Sequence, residues 1–204
     1  VFLFDRMIDC DESLYEAAVV SDMRNQGVTA VEWLKSQGLE EYNIVHIQGV
    51  MGSDAQIGRT EPLNEQDAAE PDTWHLVAQQ TASWDEAEAK TITEAAINSG
   101  ESFNVIYAEN DGMARGAVAA LDEAGITHGV DGDVIVMGFD TNRYALRELQ
   151  AGNWNYDGQC SPYQAQIISD MIQQLEAGEA PNLESKKTIT EERGFDAATI
   201  TEED

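Results

Sequence analysis

Asp5, Arg6, Arg59, Asn110, Asp111 and Asp140 carry most of the chemistry that this sequence offers. Each stands at or just after the carboxyl end of a strand-like run. Asp5 and Arg6 follow VFLF, Asn110 and Asp111 follow FNVIYAE, Asp140 follows DVIVMGF, and Arg59 closes the polar stretch after YNIVHIQ. In open α/β sheets the ligand crevice lies outside the strand carboxyl ends, so these groups should converge. Carboxylates, an amide and guanidinium groups gathered there hold a ligand by hydrogen bonds. The competing reading is that Asp and Asn in such places only cap the next helix. A cap suits Asp111 better, whereas Asn110 and Asp140 belong to an arrangement that recurs at several strands and suits binding.

Bond-making chemistry finds no support. The sequence holds no GxSxG elbow, no P-loop and no GxGxxG fingerprint after its first strand. His46, His75 and His128 are dispersed, with no i, i+4 partner and no neighbouring Cys, so neither a metal nor another cofactor is expected. His46, inside a strand-like run, reads as a core histidine with satisfied nitrogens. The segment HGVDGDV has two aspartates, Asp131 and Asp133, without the spacing of a calcium loop, and reads as a turn. The chain is expected to bind and not to catalyse.

The elements that must position these groups alternate along the chain. Met23, Gly27, Ala30, Val31 and Leu34 recur at helical spacing and Gly38 follows as a stop. Residues 42–49, 73–79, 103–110 and 133–140 read as strands. A helix from Asp85 carries Ala89, Ile92 and Ala96 on one face, and another places Met113, Ala117, Ala120, Leu121 and Ala124 in a stripe that stops at Gly125. Near-continuous apolar strands between amphipathic helices indicate an α/β fold with a doubly wound parallel sheet. Residues 152–162 read as a polar connection. A last helix aligns Ile168, Met171, Ile172 and Leu175, and after Gly178 and Pro181 the segment 185–190 reads as a short strand before an acidic tail.

Composition narrows the partners. The 204 residues include 39 acidic and 11 basic side chains, for a net charge of -28. Such a surface repels phosphate backbones and anionic headgroups, which disfavours nucleic acid and membrane. The acid is scattered and lysine is confined to positions 35, 90, 186 and 187, which suits a halophilic source as well as a chain that is simply acidic. No apolar run approaches the roughly 18 residues of a membrane span. The opening VFLFDR has neither the basic region nor the cleavage site of a secretory leader, and reads as a buried strand. Cys10 and Cys160 are too few for a disulfide framework; two thiols or a single bridge both remain open.

Four segments together resemble a known family. FDRMIDCDESLY, HIQGVMGSDAQIGR, IYAENDGMARGAVAALDEAG and VMGFD are similar, in order, to segments of periplasmic sugar receptors of the ribose and galactofuranose type. AENDGMARGA is close to that family's NDxMAxGA signature, and the DR-x-I-D and S-L-Y elements resemble the galactofuranose branch. The likeness runs from Val1 to about Ile189. It implies a type I periplasmic-binding-protein fold of two α/β lobes joined by three crossings. A monosaccharide is gripped between the lobes and passed to an ABC permease, in the periplasm or outside the cell. Carried over by position, Asp5 and Arg6 would bind sugar hydroxyls from the first lobe, Arg59, Asn110 and Asp140 would bind from the second, and Trp84 would stack on the ring. Planar bidentate groups suit vicinal hydroxyls, and an aromatic face suits the ring's C–H patch.

Two departures bear on the ligand. Cys160, flanked by Gln159 and Ser161, stands at or beside the position where ribose receptors carry a glutamine, so Gln159 and Cys160 join the candidate site. Pro62 should interrupt the helix that carries Arg59. Against the family's length, residues 1–20 and 161–184 would be remnants of the first lobe, 21–160 a whole second lobe, and 185–204 a return strand and tail. With only VFLFD left of its sheet, the 168–175 helix face should be exposed, disordered, or covered by the missing lobe or another chain. The ligand-sensing core of a LacI-type transcriptional regulator shares the fold and is the alternative reading.

Overall fold

The computed structural model describes residues 1–179 and 186–201. In chain order these form β1 (Phe2–Asp5), a 3-10 turn (Glu12–Leu14), β2 (Ala17–Val20), α1 (Met23–Ser36), β3 (Tyr42–Gln48), α2 (Asp54–Ala69), β4 (Trp74–Thr81), α3 (Glu86–Ser99), β5 (Val105–Ala108), α4 (Asp111–Ala124), β6 (Ile135–Asp140), α5 (Arg143–Gln150), β7 (Tyr156–Gln159), α6 (Ala165–Glu176), β8 (Lys187–Ile189) and β9 (Gly194–Asp196). Pro181 and Ser185, read from sequence as a stop and a strand start, lie outside the described residues.

Two sheets result. Six strands run in the order β4-β3-β5-β6-β7-β9, parallel except for antiparallel β9, and three run in the parallel order β1-β2-β8. Helices cover both faces of the larger sheet, as the uninterrupted apolar strands require. Along β5, Val105 and Tyr107 face one core with Ala30, Leu34 and Leu63, while Ile106 and Ala108 face the other with Ala89, Ala117 and Leu121. This is the doubly wound α/β class expected from the sequence.

Helix contact is close where glycine allows it. A Cβ on Gly27 of α1 would come within 2.5 Å of the Gly58 carbonyl oxygen in α2, and one on Gly58 within 2.5 Å of the Met23 backbone. The same contact explains why Pro62 does not break α2, contrary to expectation: the helix runs from Asp54 through Pro62 to Ala69. Proline removes the donor that the Gly58 carbonyl would use and crowds that oxygen. With glycine at both 58 and 27, the two helices have room for the ring.

The sequence missed four elements: β2, α5, β7 and β9. β7 falls inside the stretch read as a polar connection. Its sequence YDGQ lacks an apolar alternation, yet Tyr156, Asp157 and Gly158 are buried. A Cβ on Gly158 would meet the Phe139 ring at 2.5 Å. β2 changes the outlook for α6. The smaller sheet has three strands, and Met171 and Ile168 of α6 pack on Phe2, Ala17 and Val19. Met171 is buried, Leu175 is half-buried and Ile172 is exposed. The stripe is therefore partly covered by its own chain.

Among the described residues the chain passes between the sheets three times, at residues 20–23, 159–165 and 189–194. The Glu192 carboxylate ties the three passages together: it accepts from Ser21 Oγ at 2.6 Å, Gln26 Nε2 at 2.7 Å and the Ser161 amide at 2.7 Å.

Candidate functional site

A cavity of about 390 Å³ opens where the carboxyl ends of β1, β4 and β6 meet the start of α4. Asp5, Arg6, Arg59, Trp84, Asn110, Asp140 and Cys160 line it, together with Met23, Ala55, Asn142 and Pro162. Seven of the eight residues picked from the sequence thus converge; Gln159 does not. The backbone around the cavity is unusual. Asp5, Ser83, Trp84, Asp140 and Thr141 all have positive φ, at 73°, 53°, 68°, 104° and 53°. Non-glycine residues adopt such angles at a cost of roughly 1–3 kcal/mol each, and they gather where geometry is imposed for function.

Arg59 is held before any ligand arrives. Its side chain is almost fully buried, Nε donates to Gln26 Oε1 at 3.0 Å, Nη2 donates to Asp140 Oδ1 at 3.0 Å, and Nη1 donates to the Glu109 carbonyl oxygen. The guanidinium carbon sits 4.8 Å from the Phe139 ring centre. Burial alone would push the guanidinium down, but Asp140 and other anionic neighbours reverse this and hold it above its ordinary value. Asp140, half-exposed, is pushed up by burial while Arg59 opposes the shift. The Arg59–Asp140 pair therefore has one fixed member and one that reaches the cavity.

Glu109 organises the floor. Its carboxylate is fully buried, accepts from the Gly49 amide at 2.7 Å and from Thr60 Oγ1, and lies 3.0 Å from His46 Nε2. His46 is thus the satisfied core histidine expected, its Nδ1 lying 3.1 Å from Gln79 Nε2. Nothing in the sequence pattern separated Glu109 from the many surface acids. Gly49, fixed by Glu109, carries Trp84: a Cβ there would come 1.9 Å from the indole. Only a residue without a side chain lets the ring lie flat at that point.

Asp5 and Arg6 are the exposed wall, paired at 2.7 Å between Oδ2 and Nε. The Asp5 amide donates to Gln164 Oε1, and its carbonyl accepts from Ser21 at 3.1 Å, which pins the end of β1 against two of the passages between sheets.

Three expectations change. Asn110 is the cap of α4, its Oδ1 accepting from the Met113 amide at 2.8 Å, and it also lines the cavity. Asp111 is not the cap: it is fully buried and its Oδ2 accepts from the Asn142 amide at 2.7 Å. Gln159 turns away from the cavity, its Oε1 accepting from the Arg193 amide at 3.3 Å, and lines a separate cavity of about 500 Å³ beside Asn25, Glu192 and Arg193. Alternation along β7 and the step into the 159–165 passage send Gln159 and Cys160 to different sides. Cys10 and Cys160 are free thiols, and both are half-buried. Burial pushes the Cys160 thiol up although Arg59 pulls it down, and its sulfur lies 3.6 Å from Ser21 Oγ.

The site is a set of hydrogen-bonding groups with one aromatic face. Among the described residues no cluster of three His, Cys, Asp or Glu could hold a metal, and no helix is long and apolar enough to cross a membrane.

Residues 1–180 match the family described as "Periplasmic binding protein domain". The chain is 28% identical over 209 residues to the galactofuranose-binding protein of Escherichia coli strain K12, covering 100% of this chain and 64% of that protein. The arabinose ABC transporter's periplasmic binding protein component from Shewanella sp. ANA-3, bound to α- and β-L-arabinofuranose, superposes with a TM-score of 0.88 at 27% identity. That match covers 97% of this chain and 65% of the other. A Mycobacterium smegmatis protein in complex with β-D-fucofuranose gives a TM-score of 0.86 at 28% identity, over 97% of this chain and 64% of its own. The chain spans slightly less than two-thirds of the length of these relatives.

Proposed function

The chain belongs to the periplasmic binding protein domain family, and from that premise we propose that it binds a monosaccharide, galactofuranose- or ribose-like, for an ABC importer. It would do so without chemical turnover, in the periplasm or outside the cell. The observation that carries this reading is the convergence of Asp5, Arg6, Arg59, Trp84, Asn110 and Asp140 on one cavity of about 390 Å³. That volume lies within the range of small-molecule sites, about 300–1,000 Å³. Arg59 and Asp140 offer a rigid donor and a reachable acceptor to vicinal hydroxyls, and the Trp84 face suits the ring's apolar side. Furanose ligands in two of the similar structures support the same class of sugar.

The six-stranded sheet and its helices would be the receptor's second lobe, and the three-stranded sheet with α6 part of the first. Phe4 and Ile189 of the smaller sheet, Val1 beside it, and Ile167 and Ile172 of α6 are exposed, which supports further protein packing there. A permease would then read the closed state of the two lobes. The LacI-type regulator gains no support from the relatives.

A thermal-shift panel of furanose-forming monosaccharides tests the proposal. A ligand at a hundredfold over its Kd adds about 2.7 kcal/mol of stability, so one sugar should raise Tm while the others do not. A flat panel at high sugar concentration would reject it.

A further inference from the structure

Behind Asp140 lie two carboxyl groups that the sugar site does not use. Asp111, the first residue of α4, and Asp157 of β7 are both fully buried. Each gives one oxygen to the turn after β6: Asp111 Oδ2 accepts from the Asn142 amide at 2.7 Å, and Asp157 Oδ1 accepts from the Thr141 amide at 3.2 Å. The other two oxygens, Asp111 Oδ1 and Asp157 Oδ2, are buried without a donor among the described residues. Both face the Cα of Gly138, where a Cβ would lie 2.8 Å from the first and 3.5 Å from the second. Two buried carboxylates that aim their bare oxygens at one point cannot both stay ionised, and a single proton between them satisfies both.

We propose that Asp111 and Asp157 hold one proton between them, and that this pair is the positioning device for the turn that presents Asp140 to the cavity. The turn needs one, because Asp140 and Thr141 are both held at positive φ. Asp111 sits at the amino end of a fourteen-residue helix, where the backbone favours negative charge, so Asp157 carries the proton and donates it to Asp111. Burial raises both carboxyls, Asp111 to about 7 and Asp157 well above the ordinary range.

Among the described residues the surroundings supply no other partner for the bare oxygens. Asp140 of β6 adds negative charge and is itself paired with Arg59 of α2. From α5 comes the Tyr144 phenol, pushed up by burial and so neutral, and over its ring lies Arg115 of α4, 4.6 Å from the centre and bound to Glu86 of α3. Tyr156 of β7, also neutral, is influenced by Asp157 and by Asp196 of β9. Trp154 closes the remaining side.

The pair's existence rests on geometry alone, and only its effect on sugar affinity depends on the proposed function. The test is therefore run without sugar, on the whole chain, by following the Asp carboxyl carbons and the Thr141 and Asn142 amides by NMR from about pH 3 to about pH 10, against an ordinary carboxylate near 4. The expected result is a shared carboxyl titration well above that value, with both amides shifting along the same curve. In Asp157→Asn, whose amide donates to Asp111 while its oxygen still accepts from Thr141, the amides keep their positions and lose the inflection. In Asp157→Ala their hydrogen exchange accelerates by about tenfold or more. Ordinary titration of both carboxyls near 4, or an inflection unchanged in Asp157→Asn, would overturn the proposal. Should neither variant fold, the wild-type carboxyl titration decides alone.

Discussion

Trp84 and Gly49 act as one unit, because the indole occupies the volume that a side chain at 49 would fill. Trp84→Ala should cost about 2 kcal/mol of sugar binding, the scale of a buried aromatic anchor, with little loss of Tm. Gly49→Ala is the sharper probe: the ring remains but is displaced, so calorimetry should record a comparable loss of affinity, and unchanged binding would mean that the ring does not stack. Asp140→Ala leaves the Arg59 guanidinium without its carboxylate, at a cost of about 1–3 kcal/mol, and should abolish measurable affinity. Equal effects from substituting exposed Asp131 would show the site to be misplaced. At this scale the sequence was legible where a polar residue ends an apolar strand, as with Asp5, Asn110 and Asp140. It was opaque for Glu109 and Asp157, because burial of a carboxylate depends on neighbours from other strands and leaves no local mark.

Among the elements, the strongly apolar ones were legible, and α1, β3, α3, β5, α4 and β6 all appear near where periodicity placed them. β2 and β7 were not. AAVV is four residues inside a stretch rich in polar side chains, and YDGQ places a buried aspartate where a strand pattern calls for an apolar residue. The same aspartate gives the turn after β6 its dependence on pH. Carboxyls raised by burial contribute stability that is complete below their unfolded value and is lost as pH rises through the folded one. With Asp111 at about 7 and Asp157 well above the ordinary carboxylate value of about 4, Tm should fall progressively as pH rises from about 4 through neutrality. Asp157→Asn should shallow that fall in a melting series, and an identical slope would separate the pair from the pH response.

Across the whole molecule, charge and the openness of the cavity set the behaviour. A net charge of -28 on 204 residues makes mutual repulsion a general cost that salt screens. We propose a halophilic setting, in which Tm climbs from dilute buffer to molar KCl; a flat profile would leave the acidity without that purpose and leave the binding site untouched. The six-stranded sheet and its helices were legible as an alternating α/β chain, whereas the three-stranded sheet was not, since β8 joins β2 from 167 residues or more along the chain. Among the described residues the cavity is walled on one side by Asp5, Arg6, Cys160 and Pro162 alone, so the affinity of this chain should be weak.

A method that registers weak binding therefore tests the central claim most directly. Heteronuclear NMR of the chain, titrated with galactose, arabinose, ribose and fructose, follows the Trp84 indole, the Asn110 side-chain amide and the Arg59 Nε signal. We predict that one sugar shifts all three along a single saturating curve and that the shifts vanish in Asp140→Ala. Saturable shifts confined to the separate cavity around Asn25 and Arg193, or none at any of the three reporters with every sugar, would contradict the account.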